Sequence, residues 1–415
     1  MKAKRWTSIW LCAVLVMALT GCGADANPEN EGGASQTAAA KVIKLRVWAD
    51  KEEYDLTSKL ADQFQKENSG EAKLNISVEP KEQDSLRTNV VKDVMAAADV
   101  FTIRDSDLMV LAAGGALTQI EESAKVQAAD DNDAVKAFTN KGKLYAYPSS
   151  QESSYVLFYN KKQISDGQVK TIEGALKAAA AKGKKLAMDW LQGQSTYCFF
   201  GKSGLNLSLN DDGATNACNW NSTDHEVKGV TVAAAMGSIA GNKGFVNMKE
   251  ADMASAAKSG KIAAGIASIE IAEAVEKEWG DDFAAVKLPS FSCGGKKMVM
   301  SSFLGYRAVA ANYYSENKEW ALKLAEYLAG EEAQKNRYQE LSQLPVNTNV
   351  MNSEEGKKDP VIEAVSQQKS VASLKRVGTG YEEACASFGA KMAGGAKDYQ
   401  NLLDDLVKGI TTSAK

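Results

Sequence analysis

Histidine and cysteine are scarce in this 415-residue sequence, which contains one histidine, His225, and six cysteines. No two cysteines form a Cys-x-x-Cys pair, so the sequence gives no support for a zinc cluster. Any metal site or nucleophile-histidine arrangement would depend on His225 alone. We therefore expect no metal, no cofactor and no catalytic triad. Cys198 and Cys218 leave two alternatives open, a disulfide between them or buried free thiols.

An excess of positive charge is also missing, because 49 lysine and arginine residues stand against 53 aspartate and glutamate residues. An acidic balance favours solubility and argues against binding to a phosphate backbone. We therefore expect no nucleic-acid partner.

Long apolar runs are absent except near the start of the chain. Residues 9–19 are apolar, follow Lys2, Lys4 and Arg5, and are too few to span a bilayer. A basic start, a short apolar run and small residues before a cut are typical of a secretory signal. Cys22 follows the sequence Leu-Thr-Gly, and this arrangement resembles a bacterial lipoprotein signal, in which the cysteine becomes the lipidated N-terminus. The alternatives are an ordinary signal and an N-terminal helix.

The lipoprotein interpretation divides the start of the chain into a signal peptide, residues 1–21, and a flexible tether, residues 22–41. The tether is mostly small and polar, with too little apolar bulk to offset the entropy of ordering. No later segment has the ~20 apolar residues of a membrane-spanning helix, so a lipid on Cys22 would be the only link to the bilayer. About 375 residues remain, which exceeds one ordinary core and indicates two lobes.

Alternating strand and helix patterns follow the tether. Residues 44–48 and 74–78 alternate as strands do, and residues 56–64 between them repeat apolar side chains at helical spacing, which predicts a β-α-β unit. The other predicted strands are 99–103, 155–160, 261–269, 284–288 and 303–310, and the other predicted helices are 90–97, 108–115, 171–182, 227–240, 250–259, 316–329 and 399–410. This order predicts an α/β fold.

Six short segments resemble, in their order and spacing, the extracellular solute-binding proteins of ABC importers, and within them the maltose and maltodextrin binders. They are residues 45–51, 98–101, 142–148, 159–161, 258–264 and 344–346. The resemblance implies a periplasmic-binding-protein-like fold, with two α/β lobes joined by a hinge and a ligand cleft between them. Residues 42–152 plus 303–350 would form the N-terminal lobe, and residues 153–302 plus 351–415 the C-terminal lobe. The crossovers would fall near 152–155, 301–303 and 347–351.

The function that the resemblance implies is binding without catalysis. A lipid-anchored monomer at the outer face of the cytoplasmic membrane would capture a malto-oligosaccharide and deliver it to the permease subunits of an ABC importer. Three alternatives stay open: a different oligosaccharide, a surface glycoside hydrolase that uses Asp50 and Glu152, and a binder of amino acids, peptides or polyamines.

Hydroxyl groups of a sugar favour ionic partners, because a carboxylate accepts two hydroxyl hydrogens and charge-assisted bonds are strong. The resemblance assigns sugar contacts to Asp50 and Lys51 after the first strand, and to Glu152 near the lobe crossover. It also makes Arg104 and Asp105 candidate contacts after the strand at 99–103. The plain alternatives are a solvated loop pair at Asp50 and Lys51, and a local surface ion pair at Arg104 and Asp105.

Aromatic rings serve the apolar faces of a sugar. Trp190 and Tyr197 lie in the densest aromatic cluster of the chain, where maltodextrin binders present rings to glucose, and Tyr381 falls near another aromatic of that family. Tyr155 would face either the cleft or the sheet. Glu270 stands where these binders often carry a tryptophan, so a polar contact would replace a ring there.

Overall fold

The alternating pattern of the sequence folds into two mixed β-sheets with helices packed against them. A computed structural model describes residues 42–412. The predicted signal peptide, the tether and the lipidation site Cys22 lie outside the described residues. No helix within 42–412 combines the length and the apolar character that a bilayer crossing requires.

The strands of the described chain are β1 (Ile43–Asp50), β2 (Leu74–Lys81), β3 (Val100–Arg104), β4 (Thr139–Asn140), β5 (Lys143–Leu144), β6 (Tyr147–Glu152), β7 (Tyr155–Asn160), β8 (Lys185–Met188), β9 (Leu207–Leu209), β10 (Asn216–Cys218), β11 (Phe245–Asn247), β12 (Ile262–Ser268), β13 (Phe283–Val286), β14 (Ser290–Cys293), β15 (Lys296–Val299), β16 (Phe303–Ala311) and β17 (Ser373–Leu374). The helices are α1 (Tyr54–Glu67), α2 (Gln83–Lys92), α3 (Leu108–Ala113), α4 (Ser123–Ala129), α5 (Asn132–Ala137), α6 (Ile172–Ala181), α7 (Gly193–Phe200), α8 (Gly229–Ala240), α9 (Glu250–Lys258), α10 (Ala272–Trp279), α11 (Lys318–Ala329), α12 (Glu331–Leu341), α13 (Thr348–Met351), α14 (Pro360–Gln368), α15 (Tyr381–Ala393) and α16 (Tyr399–Thr411).

The sheet of the first lobe contains β1, β2, β3, β6, β16 and β17. β1 runs parallel to β2 and to β3, whereas β16 lies antiparallel to both β3 and β6. Helix α1 buries Leu56, Leu60 and Phe64, spaced four residues apart, in the core of this lobe. Because β1, β3 and β6 point the same way, their carboxyl ends meet at one edge of the sheet.

The sheet of the second lobe has the order β11-β8-β12-β7-β13. β8 is parallel to β11 and to β12, and β7 is antiparallel to its neighbours. Every residue of the central strand β12 is buried, as expected for a strand covered on both faces. The chain passes from the first sheet to the second between Glu152, the last residue of β6, and Tyr155, the first residue of β7. The predicted lobe limits and crossover positions stay predictions.

Most predicted elements are confirmed, including the β-α-β unit and the helices that correspond to α6, α8, α9, α11 and α16. The predicted helix at 90–97 is misplaced, because α2 ends at Lys92. The sequence pattern does not predict the helix α7, because all eight of its residues are buried and it has no one-sided apolar stripe. Cys198 and Cys218 are both free thiols and not a disulfide, but only Cys198 is buried and Cys218 is partly exposed.

Candidate functional site

A cavity of about 470 Å³ lies at the carboxyl edge of the first-lobe sheet and faces the segment that follows β12 of the second lobe. Its walls combine ionic and amide side chains with a few aliphatic ones. The lining residues are Glu52, Arg104, Ser150, Gln151, Glu152, Ile269, Glu270, Glu273, Arg307, Leu341, Ser342, Gln343 and Leu344. Ligands of open α/β sheets usually bind at such carboxyl ends, so this cavity is the candidate site.

Arg307 is the cationic centre of the cavity wall. Its Nε donates to Oε2 of Glu152 at 2.5 Å, and its Nη1 donates to Oδ2 of Asp50 at 3.0 Å and to Oε1 of Glu53 at 3.3 Å. Burial opposes the charge of this guanidinium, but the carboxylates of Glu152, Glu53 and Asp50 outweigh burial and raise its pKa. Arg307 is therefore charged, and it gathers three carboxylates from separate parts of the first lobe.

Glu152 is held from two sides at the end of β6. Its Oε1 lies 3.3 Å from Nε of Arg104, and its Oε2 accepts the bond from Arg307. Arg104 in turn pairs with Asp84 at 2.6 Å. The structure thus brings Arg104 and Glu152, both predicted from sequence, to the same wall of the cavity.

The two side chains of the predicted pair, Asp50 and Lys51, lie in different environments. Asp50 is buried and bound to Arg307, and it accepts a bond from the backbone N–H of Glu52 in the short turn Lys51–Glu53 after β1. Burial raises the pKa of Asp50, against the opposing charge of Arg307. The side chain of Lys51 is 69% exposed and pairs with Glu82. Neither residue lines the cavity, and Asp50 reaches it only through Arg307.

Asp105 is also absent from the cavity lining. It is buried, where its Oδ2 accepts a bond from Nη1 of Arg376 at 3.0 Å and its Oδ1 accepts one from the backbone N–H of Tyr306 at 3.3 Å. Burial raises the pKa of Asp105 to about 7, although Arg376 opposes this shift. Asp105 therefore ties β3 to the segment around Arg376 in this structure.

Glu270 lies on the opposite wall, just after β12, and lines the cavity as the sequence predicts for a cleft residue. Its Oε2 accepts a hydrogen bond from the Ser268 hydroxyl at 3.2 Å. Desolvation in the cleft, and then the charge of Glu152, raise the pKa of Glu270, while Arg307 opposes the shift. The two lobes thus present carboxylates to each other across the cavity.

The predicted aromatic residues do not line this cavity. Trp190 is 1% exposed and packs tilted against Phe245 at a ring distance of 4.8 Å. Helix α15 crosses it so closely that a Cβ on Gly389 would lie 1.7 Å from the Trp190 carbonyl oxygen. Tyr381 is fully buried, and its hydroxyl donates to the Gly193 carbonyl oxygen at 2.9 Å. Both rings serve the core of the second lobe.

Tyr155 and Tyr197 lie elsewhere as well. The hydroxyl of Tyr155 donates to Glu250, and the ring belongs to the core of the second lobe. Tyr197 is stacked on Phe303 at a centroid distance of 3.6 Å and lines a separate groove of about 690 Å³ that Arg376 also lines. All four predicted rings therefore have protein partners in this structure.

Arg307 lines the cavity and binds Glu152, but it is not among the residues that the sequence predicts for the site. It lies within a strand whose nine residues are all buried. An arginine in such a strand must find carboxylate partners, because an unpaired buried charge is strongly unfavourable. A charged residue within an otherwise apolar strand is therefore the sequence signal that indicates Arg307. Among the residues that the structure describes, no group of His, Cys, Asp and Glu side chains is arranged to hold a metal ion.

Comparison with known proteins identifies the fold and the family. The galactooligosaccharide-binding protein of Bacillus subtilis (strain 168) is 27% identical over 380 residues, which cover 88% of this chain and 86% of that protein. The ligand-free maltodextrin binding protein MalE1 from L. casei BL23 matches with a TM-score of 0.76 and 25% identity, covering 90% of this chain and 100% of that one. A cyclo/maltodextrin-binding protein complexed with maltotetraose matches with a TM-score of 0.73 and 23% identity, covering 90% of this chain and 98% of that one.

These likenesses show a periplasmic-binding-protein-like fold of two α/β lobes joined by a hinge, with the cleft between them. The family model of bacterial extracellular solute-binding proteins matches residues 59–364, which is well over half of the sequence. The chain therefore belongs to the family of bacterial extracellular solute-binding proteins.

Proposed function

We propose that this protein captures an oligosaccharide outside the cell and delivers it unchanged to the permease of an ABC importer. The observation that supports this proposal is the cavity at the carboxyl edge of the first lobe, which faces the second lobe with ionic and amide side chains. Such groups satisfy sugar hydroxyls on several sides at once. Membership of the solute-binding family supports the role in uptake.

The proposed ligand contacts are Arg104 and Glu152 on the first lobe and Glu270 on the second. A ligand favours closure only through contacts that it makes better in the closed state, so contacts on both lobes are needed. Asp50 would act through Arg307. For Lys51, Asp105, Tyr155, Trp190, Tyr197 and Tyr381, a ligand contact stays a prediction that the cavity does not support.

The first candidate ligand is a malto-oligosaccharide, which the sequence resemblance implies. The similarity to the galactooligosaccharide-binding protein of Bacillus subtilis supports a galactooligosaccharide as the competing candidate. Among residues 42–412, no aromatic residue lines the cavity. Hydroxyl recognition by ionic groups would therefore carry more of the affinity than ring stacking, and it distinguishes sugars by the orientation of their hydroxyls.

Cys22 would attach the protein to the membrane. Cleavage before Cys22 and lipidation of its thiol would hold a monomer at the outer face of the cytoplasmic membrane. Residues 22–41 would then act as a tether for the lobes formed by residues 42–152 plus 303–350 and residues 153–302 plus 351–415. The permease subunits would be the protein partners.

Isothermal titration calorimetry of the purified protein against maltotriose, galactooligosaccharides and xylo-oligosaccharides tests the ligand class. Binding near micromolar Kd, about −8 kcal/mol, is expected for one of these series. Absence of binding with all three would reject an oligosaccharide ligand. Incubation of the best binder with the protein, followed by chromatography, is expected to return the sugar intact. Shorter products would favour the hydrolase alternative, in which two carboxylates flank the scissile bond.

A further inference from the structure

We infer that Arg307 is the positioning residue of this ligand site, because it fixes the Glu152 carboxylate in the cavity wall and thereby sets the affinity. The inference rests on the proposed function for the identity of the ligand. The placement of Glu152 by Arg307 does not depend on that identity, so the two ideas can be tested apart.

The location of Arg307 requires carboxylate partners. Strand β16 is buried along its whole length, and only 10% of the Arg307 side chain is exposed. Removal of a guanidinium from water is unfavourable unless ionic partners replace the lost hydration. Those partners come from three places: Asp50 at the end of β1, Glu53 in the turn after β1, and Glu152 at the end of β6. Arg307 therefore sets the relative positions of two strand ends at the cavity.

The two guanidinium groups on Glu152 differ in rigidity. Arg104 is 33% exposed on its side chain and shares its charge with Asp84, whose side chain is 90% exposed. Arg307 is buried, and its contact with Glu152 is the shorter of the two. A planar guanidinium with two fixed carboxylates leaves its third partner little freedom. The oxygen bound by Arg307 is thus the fixed point, and the other oxygen lies 3.3 Å from Nε of Arg104 in the cavity wall.

Arg337 supplies a matched control within the same network. It is 1% exposed, its Nε donates to Oε2 of Glu53 at 3.0 Å, and its Nη1 donates to the Leu328 carbonyl oxygen at 2.6 Å. Burial opposes the charge of Glu53, yet Arg337 and Arg307 outweigh it and lower its pKa. Arg337 is not among the described residues that line the cavity, and its polar contacts go to Glu53 and Leu328 and not to Glu152. Its loss removes a buried charge as the loss of Arg307 does, without releasing Glu152.

The test compares Arg307→Met, Arg307→Lys and Arg337→Met in the full-length protein. Affinity for the sugar that the wild type binds is measured by calorimetry, and Tm by thermal unfolding. We expect Arg307→Met to bind about 10- to 100-fold more weakly and Arg307→Lys to fall between it and the wild type, since lysine keeps the charge but not the planar fork. Arg337→Met is expected to lower Tm while the folded protein binds with wild-type affinity. If Arg307→Met does not fold, Arg307→Lys carries both measurements.

A crystal structure of ligand-free Arg307→Lys supplies the second measurement. The Glu152 carboxylate is expected to shift toward Arg104, away from its wild-type position. Wild-type affinity in the Arg307 variants, equal loss in Arg337→Met, or an unmoved Glu152 would each overturn the inference. Failure of the wild-type protein to bind any oligosaccharide would reject the proposed function instead, and the position of Glu152 would still decide the role of Arg307.

Discussion

Two polar residues that the sequence predicts in the first lobe line the cavity, whereas in the second lobe Glu270 lines it and the predicted aromatic residues do not. In the first lobe, Arg104 and Glu152 emerge at strand ends and line the cavity together with Arg307. In the second lobe, Trp190 and Tyr381 are buried in the core. A polar side chain at a strand end is positioned by the register of the sheet, whereas a large ring is buried wherever apolar surface is available. Strand ends are therefore better guides to a cleft than aromatic density.

Replacement of Trp190 has the largest expected effect and tests whether this ring belongs to the core or to the cleft. Trp190→Ala removes a large buried ring, and we expect the free energy of unfolding to fall by about 3 to 5 kcal/mol. Urea unfolding measures the loss. Trp320→Ala is the matched control, because Trp320 packs on the edge of the first-lobe core and stays partly exposed, so its loss should cost less. A stable Trp190→Ala protein that has lost sugar binding would restore Trp190 to the cleft.

Asp130 is a buried carboxylate of the first lobe whose hydrogen-bond partners are neutral amides. Glu53 and Glu152 have guanidinium partners, whereas the buried Oδ1 of Asp130 accepts bonds from the amide groups of Gln334 at 3.2 Å and Asn347 at 3.5 Å. Burial raises the pKa of Asp130 from 3.8 to about 7, the two amides oppose this shift and the charge of Asp131 adds to it. The folded protein therefore keeps a proton that the unfolded chain releases above its ordinary pKa.

The free energy of unfolding of the wild-type protein should therefore fall as pH rises from about 4 to about 7, because the unfolded state binds fewer protons than the folded state in that range. In Asp130→Asn this contribution is absent. We expect the variant to gain about 2 to 4 kcal/mol relative to the wild type between about pH 4 and pH 8, measured by urea unfolding at each pH. A constant difference between the two proteins across that range would contradict the assigned pKa.

The sequence allowed most of the fold to be predicted, because period-two and helical patterns report local structure directly. Residues 44–48, 56–64 and 74–78 became β1, α1 and β2 with parallel pairing. The sequence pattern does not indicate helix α7, because all eight of its residues are buried. A helix that is buried on every side lacks the one-sided apolar stripe by which an amphipathic helix is recognised in a sequence.

The candidate site could be predicted only in part. Arg104 and Glu152 are the last residues of β3 and β6, and Glu270 comes two residues after β12. The family resemblance indicates these positions, and all three residues line the cavity. Arg307 could not be found that way, since its partners are more than 150 residues distant in sequence. The pairing of β16 with β6 brings Glu152 to it, and the sheet order β16-β3-β1 brings Asp50 and Glu53. The direction of a side chain off a turn, as at Lys51, is likewise set by tertiary contacts.

Neutralisation of Glu152 gives the smallest expected effect and addresses the contrast between Glu152 and Lys51. Glu152→Gln keeps the shape of the side chain but removes the charge that Arg104 and Arg307 share, so we expect about tenfold weaker sugar binding by calorimetry. Lys51→Ala is the control, because the Lys51–Glu82 pair is largely exposed. Its stability should change by no more than about 0.5 kcal/mol, with affinity unchanged. Equal weakening in both variants would mean that Lys51 turns into the cleft when the sugar binds, as the sequence resemblance implies.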